Sequence, residues 1–161
     1  MIFVSVGTNE ARFDRLLEAV ATLDASEETV VQHGPSPVRP PGATCVDYLS
    51  FEEMTEHLRT ARVSVLHAGV GSVLAALAQG VRPVVVCRLK RFGEAVDDHQ
   101  LGFARRLHGE GLVELVEDLD RLSAAVARHD RRFAGAVGVE GRLVEELRTY
   151  IAGVAPHPFE Q

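Results

Sequence analysis

The sequence predicts an α/β domain: a six-stranded parallel sheet covered by helices on both faces, in the Rossmann-like manner. Short runs rich in valine and isoleucine alternate six times with amphipathic helical patterns. Neither an internal repeat nor a linker interrupts the alternation. The length, 161 residues, suits one domain with a sizeable core. That domain is expected over 1–155, with the proline-containing 156–161 as a flexible tail.

The first strand is "IFVSV" at 2–6, closed by Gly7. Phe13, Leu16, Leu17, Val20 and Leu23 then recur at helical spacing, on one face of a helix. "TVVQH" at 29–33 is the second strand, and the four prolines of 34–43 make a loop. "TCVDYL" at 44–49 is the third strand. Ser50 and Glu53 stand as a capping box at the head of a helix running to Thr60. "RVSVLH" is the fourth strand, "GSVLAALAQ" its helix, and Gly80 its stop. "RPVVVC" makes the fifth strand, with its proline near the start where a missing N–H is tolerated. A loop over 88–96 leads into a helix ending near Leu107, and "LVELV" at 112–116 is the sixth strand. Asp118 can cap the next helix, and a last helix is expected over 140–152.

The formal charge of −6 gives no support to nucleic acid as a partner, which calls for a basic face. Cys45 and Cys87 lack metal-site or framework spacing, and they suit a reducing cytoplasm, with Cys87 as a buried thiol. The N-terminus has no basic start and no cleavage site, so no signal peptide is expected. Residues 63–81 are uncharged and long enough to span a bilayer. Three glycines, two serines, His67 and Gln79 break that stretch, and strand, turn and helix explain it better.

In a parallel sheet ligands bind beyond the carboxyl ends of the strands, and three notable loops follow strands. "VGTN" at 6–9 reads as a strand end opening a helix, where Gly7, Thr8 and Asn9 could hold a phosphate. A tight turn capped by Thr8 or Asn9 explains the same residues. "HAGVGS" at 67–72 repeats the arrangement: Gly69 and Gly71 admit a ligand to the backbone, Ser72 can cap or donate, and His67 can donate or sit satisfied in the core. Leu74 replaces the third glycine of a dinucleotide fingerprint, and there is neither a P-loop nor a serine-hydrolase elbow. The third loop ends in Asp97, Asp98, His99 and Gln100 at a helix start. Those side chains could cap, remain solvated, or bond sugar hydroxyls, whereas neighbouring Asp and His do not converge readily on a metal. Arg88, Lys90 and Arg91 make a basic cluster, either solvated or facing an anionic lipid or phosphate.

Three stretches in order, "MIFVSVGTNEARFDRLLEAV", "VLHAGVGSVLAALAQGVRPVVV" and "RLKRFGEAVDDHQLGFARRL", resemble the C-terminal domain of family 28 glycosyltransferases. The likeness is strongest to the separate donor-binding subunits of two-part N-acetylglucosaminyltransferases and of bacterial exopolysaccharide systems, and it covers residues 1 to about 125. It implies one half of a GT-B enzyme: this chain holding a UDP-sugar, and a membrane-associated subunit holding a lipid-linked or glycan acceptor and supplying the general base. On that likeness Gly7, Thr8, Asn9, His67, Gly69, Gly71 and Ser72 lie at the diphosphate. Backbone groups of Tyr48 and Leu49 face the uracil, and Asp98, His99 and Gln100 the sugar. The implied mechanism inverts the anomeric carbon, needs neither metal nor cofactor, and runs in the cytoplasm at the membrane face. UDP-N-acetylglucosamine, UDP-glucose and UDP-glucuronate all fit as donors.

The same resemblance implies a glutamate that commonly binds the ribose hydroxyls in the helix after the glycine turn; this chain has Ala75 there, so ribose is held otherwise or weakly, or the site has drifted. The alternatives are a non-catalytic partner with a degenerate site and a self-sufficient UDP-sugar epimerase. The short chain disfavours the epimerase.

Overall fold

Six strands form one wholly parallel sheet in the order β3-β2-β1-β4-β5-β6. This is a computed structural model, and it describes residues 1–129. The strands are β1 Ile2–Ser5, β2 Thr29–Gln32, β3 Thr44–Val46, β4 Val63–His67, β5 Val84–Val86 and β6 Glu114–Leu115. The helices are α1 Asp14–Val20, α2 Phe51–Thr60, α3 Val70–Ala78, α4 His99–Gly109 and α5 Leu122–Arg128. The helix expected over 140–152 and the boundary at 155 lie outside the described residues.

Strand alternation sorts the core into two faces. Ile2, Val4, Val63, Val65, Val84 and Val86 pack with Leu16, Leu17 and Val20 of α1 and Leu122 and Val126 of α5. Phe3, Val30 and Leu66 point the other way, onto Leu58 of α2 and Ala76 of α3. Val85 and Cys87 meet Phe103 and Leu107 of α4. Burial pushes the Cys87 thiol up to about 12, with Glu117 adding to the shift, so it is an inert thiol at neutral pH.

The capping box forms as the sequence requires: Ser50 Oγ accepts from the Glu53 amide, and the Glu53 carboxylate accepts from the Ser50 amide. Two other expectations need correction. Strand six pairs over only two residues, because it lies at the sheet edge against β5 alone. The helix expected to open at "VGTN" begins instead at Asp14. Phe13 is its cap, and the Phe13 amide donates to Ser36 Oγ at 2.8 Å. Residues 6–13 are therefore a loop, held by partners far away in sequence.

The chain runs outward from β1 to β2 and β3 on one side and continues from β4 to β5 and β6 on the other. The order thus reverses between β1 and β4, which pair directly. Loops leaving these two strands diverge to opposite sides and open a crevice at their carboxyl ends.

Candidate functional site: a cleft between two glycine turns

A cleft of about 390 Å³ occupies that switch point. Gly7 and Thr8 from the β1 loop face Gly69, Gly71 and Ser72 from the β4 loop across it. Ser5, Gln32 and His67 form its polar floor, and Leu49, Phe51 and Met54 its apolar side.

His67 explains two of the glycines. A Cβ on Gly7 would lie 2.3 Å from the imidazole Cε1, and one on Gly69 would lie 2.1 Å from Nε2. The ring therefore occupies the space that any larger residue would need at either turn. Gly7 also has φ +78°, the left-handed region that favours glycine. Gly71 differs, since a Cβ there meets nothing within 4 Å. Its open side belongs to the cleft.

His67 is 9% exposed, and its Nδ1 has no hydrogen-bond partner among the described residues. Burial, with the Arg88 charge adding to it, pushes the imidazole pKa down to about 4, against a smaller upward pull from the Ser5 backbone. The ring is neutral at pH 7. The unfolded chain binds this proton near pH 6.5 and the folded chain only near 4, so folding stability present above 6.5 is lost as pH falls through that window. The expected loss from His67 is roughly 3 kcal/mol. Urea unfolding of wild type and His67→Gln at pH 7 and pH 4.5 checks it, the substitution removing this part of the acid sensitivity.

Helix α3 begins at the β4 turn, with Gly69 as its cap and no side chain satisfying its first amides. Its nine residues aim the positive end of the helix dipole into the cleft. Ser72 sits three residues after the cap, partly exposed on the lining. The cleft thus offers backbone donors, a hydroxyl and a neutral imidazole around a space that suits an anion.

Gln32, Ser5 and Arg88 are the parts that sequence patterns missed. The Gln32 amide accepts from Ser5 Oγ and donates to the Gly7 carbonyl at 2.9 Å, and Ser5 Oγ accepts from the Gly7 amide at 3.2 Å. A glutamine in an apolar strand was the one available signal. Arg88 is not part of a solvated basic cluster: it is wholly buried and donates to the carbonyls of Val6, Ala11 and Arg12 at 2.8–3.1 Å. Phe13 lies against Arg88 and Arg15, and Phe92 against Arg15 and Arg91, at 4.7–5.4 Å. Arg15 also forms a two-pronged pair with the buried Glu94. Only Lys90 and Arg91 of the expected cluster are exposed.

Of the residues expected at the site, the cleft brings together Gly7, Thr8, Leu49, His67, Gly69, Gly71 and Ser72. Asn9 and Tyr48 are exposed and outside its lining, and Asn9 Oδ1 accepts from the Ala11 amide instead. Asp98, His99 and Gln100 are at the start of α4, outside the cleft as well. The Asp98 carboxylate takes the Lys90 amide and lines a separate depression of about 200 Å³ with Cys87, Leu89 and Arg91. The exposed His99 ring pairs with Asp97, and Gln100 Oε1 is buried without a partner among the described residues. Ala75 is buried beside Phe3 and Leu58 and presents nothing to the cleft. Among the described residues no three His, Cys, Asp or Glu side chains converge as a metal site requires, and no helix is long and apolar enough to cross a membrane.

Two glycine turns flank a cleft at the switch point of a parallel sheet, the place where α/β domains of this architecture take their ligands. The model of the glycosyltransferase family 28 C-terminal domain matches residues 1–132, and the chain belongs to that family. It is 31% identical over 123 residues to the human UDP-N-acetylglucosamine transferase subunit ALG13, a match covering 68% of this chain and 10% of the relative. The mouse ALG13 subunit is 33% identical over 122 residues, again 68% and 10% of the two chains. The chain therefore aligns with about a tenth of those relatives' length. Among solved structures, the kitacinnamycin glycosyltransferase superposes with a TM-score of 0.62 at 22% identity, covering 92% of this chain and 39% of that one. SnogD from Streptomyces nogalater gives 0.58 at 22% identity, with 96% and 43% covered. These two likenesses show the fold alone: a single α/β domain shared with part of each of those glycosyltransferase chains.

Proposed function

We propose that this chain is the donor-binding half of an inverting glycosyltransferase that uses a UDP-sugar, and that a separate, membrane-associated subunit holds a lipid-linked or glycan acceptor. The observation that carries the reading is the cleft itself: two glycine turns and the free amides of α3 around a neutral, buried His67. Family membership and the ALG13 relatives, named as a transferase subunit for UDP-N-acetylglucosamine, support the choice of donor class.

In this reading the diphosphate lies between Gly7–Thr8 and Gly69–Ser72. The uracil lies towards Leu49, Phe51 and Met54, against their apolar side chains and the adjoining backbone. The acceptor hydroxyl oxygen attacks the anomeric carbon as the bond from that carbon to the β-phosphate oxygen breaks, and its proton passes to a base on the acceptor subunit. UDP departs with the bonding electron pair. The growing charge on its β-phosphate is met by the α3 amides, the Ser72 hydroxyl and a His67 N–H, all fixed before the reaction begins. A neutral imidazole still offers one N–H donor to the phosphate.

Asp98, His99 and Gln100 follow β5, on the same carboxyl edge of the sheet as the cleft, and are assigned to the sugar end of the donor. If Gln100 bonds sugar hydroxyls, Gln100→Ala weakens UDP-N-acetylglucosamine binding about tenfold while leaving UDP within about twofold. Equal losses for both ligands in calorimetric titration remove Gln100 from that role. The reaction runs at the cytoplasmic face of a membrane, to which the acceptor subunit recruits this chain.

A further inference from the structure

Arg88 carries a charge that the fold does not neutralise in place. Among the described residues no carboxylate oxygen lies within ion-pair distance of its guanidinium. The nearby acid, Glu94, gives its carboxylate to Arg15 and to the Leu89 amide. It offers Arg88 only a backbone carbonyl, at 3.4 Å. A buried cation is costly unless hydrogen bonds and an opposite charge compensate it. Here the hydrogen bonds are present, to Val6, Ala11 and Arg12, but the one nearby carboxylate, Glu94, acts on Arg88 only from beyond contact and is shared with the Arg15 cation.

Those three carbonyls belong to the loop that carries Gly7, Thr8 and Asn9. Across a trans peptide the carbonyl and the following amide point in opposite directions. Drawing the Val6 carbonyl to Arg88 at 2.8 Å turns the Gly7 amide onto Ser5 Oγ. Drawing the Arg12 carbonyl to Arg88 at 3.1 Å turns the Phe13 amide onto Ser36 Oγ. Both ends of the loop are clamped in this way, and the Phe13 ring lies against the guanidinium at 4.7 Å.

We propose that Arg88 is a positioning residue for the anion cleft: its guanidinium braces the β1 loop from behind and sets there the positive charge that a bound diphosphate balances. The inference rests on the reading of the cleft as a diphosphate site. Arg88 does not line the cleft, so it acts through the loop and through its field. The same field reaches His67, where the Arg88 charge is second to burial in holding the imidazole neutral.

The test is an NMR titration of the full chain with UDP, uridine and inorganic pyrophosphate, following the His67 imidazole throughout. Arg88→Met removes the fork and the charge while keeping an apolar stem of similar length. It is expected to weaken UDP at least tenfold, to leave uridine within twofold, and to raise the His67 pKa. Arg88→Lys, which restores the charge, is expected to return the His67 pKa towards wild type, a rescue that a purely structural role does not give. A folded Arg88→Met with the wild-type ratio of UDP to uridine affinity overturns the proposal. Should that variant not fold, Arg88→Lys decides. An ammonium lacks the fork that sets one nitrogen on Ala11 and Arg12 and the other on Val6, so a ratio lowered threefold or more supports the brace, and a wild-type ratio overturns it. A wild-type chain that binds neither UDP nor pyrophosphate overturns the diphosphate site itself, a failure visible before any substitution is made.

Discussion

Ser72→Asp is expected to abolish UDP binding, by a hundredfold or more, while leaving the domain as stable as wild type or slightly more so. The two effects have opposite signs for one reason. Ser72 lies in the first turn of α3, where a carboxylate interacts favourably with the free amides and the helix dipole, worth about 0.3–1 kcal/mol. That carboxylate would occupy the positive end of the helix, which the diphosphate requires, and would repel the ligand directly. Calorimetric titration with UDP and thermal unfolding of the same preparation read both quantities. Unchanged UDP affinity would remove the α3 turn from the site, and unfolding would show that Ser72 is structural.

Gly69→Ala is expected to destabilise the domain by about 2–4 kcal/mol, whereas Gly71→Ala is close to neutral for folding. The sequence treats these glycines alike, but their surroundings do not. The new methyl at Gly69 would lie 2.1 Å from Nε2 of the buried His67 ring, so ring or backbone must shift, and the methyl at Gly71 meets nothing within 4 Å. The paired variant Gly69→Ala with His67→Ala is expected to recover most of the loss relative to His67→Ala alone, because the collision is then gone. Chemical unfolding of the four proteins in that cycle measures the coupling directly. Additive losses would mean that the ring does not set the glycine requirement.

Much of this architecture is legible in the sequence, and the departures have common physical causes. Parallel strands buried on both faces announce themselves as continuous apolar runs, and the Ser50–Glu53 box is a local device that needs no tertiary partner. The glycine turns were visible as turns. What the pattern did not show is why they are glycine, because the imidazole that fills the space at Gly7 comes from sixty residues away. The misplaced helix start has the same origin: Ser36 and Arg88 hold residues 6–13 as a loop, and neither is near in sequence. Arg88 itself reads as a surface charge beside Lys90 and Arg91, and only its three carbonyl partners show it to be buried. Asp98, His99 and Gln100 are adjacent in sequence at the start of α4, where neighbouring side chains point in different directions. One therefore takes a backbone amide, one is exposed, and one is partly buried.

Ala75 is part of the core rather than of the cleft. Its methyl packs against the Phe3 and Leu58 cluster, where a small apolar residue is well accommodated. In the proposed reading the ribose relies on other contacts, with Ser50 and the backbone at the mouth of the cleft the nearest polar groups on that side.

The central claim is that this cleft holds the diphosphate of a uridine nucleotide. Calorimetric titration of the purified chain with UDP, with ADP and NAD as comparisons, tests it most directly. UDP is expected to bind saturably at one site, with ADP and NAD at least tenfold weaker. Binding of ADP or NAD as tight as UDP, or no binding of UDP by the folded chain, would contradict it.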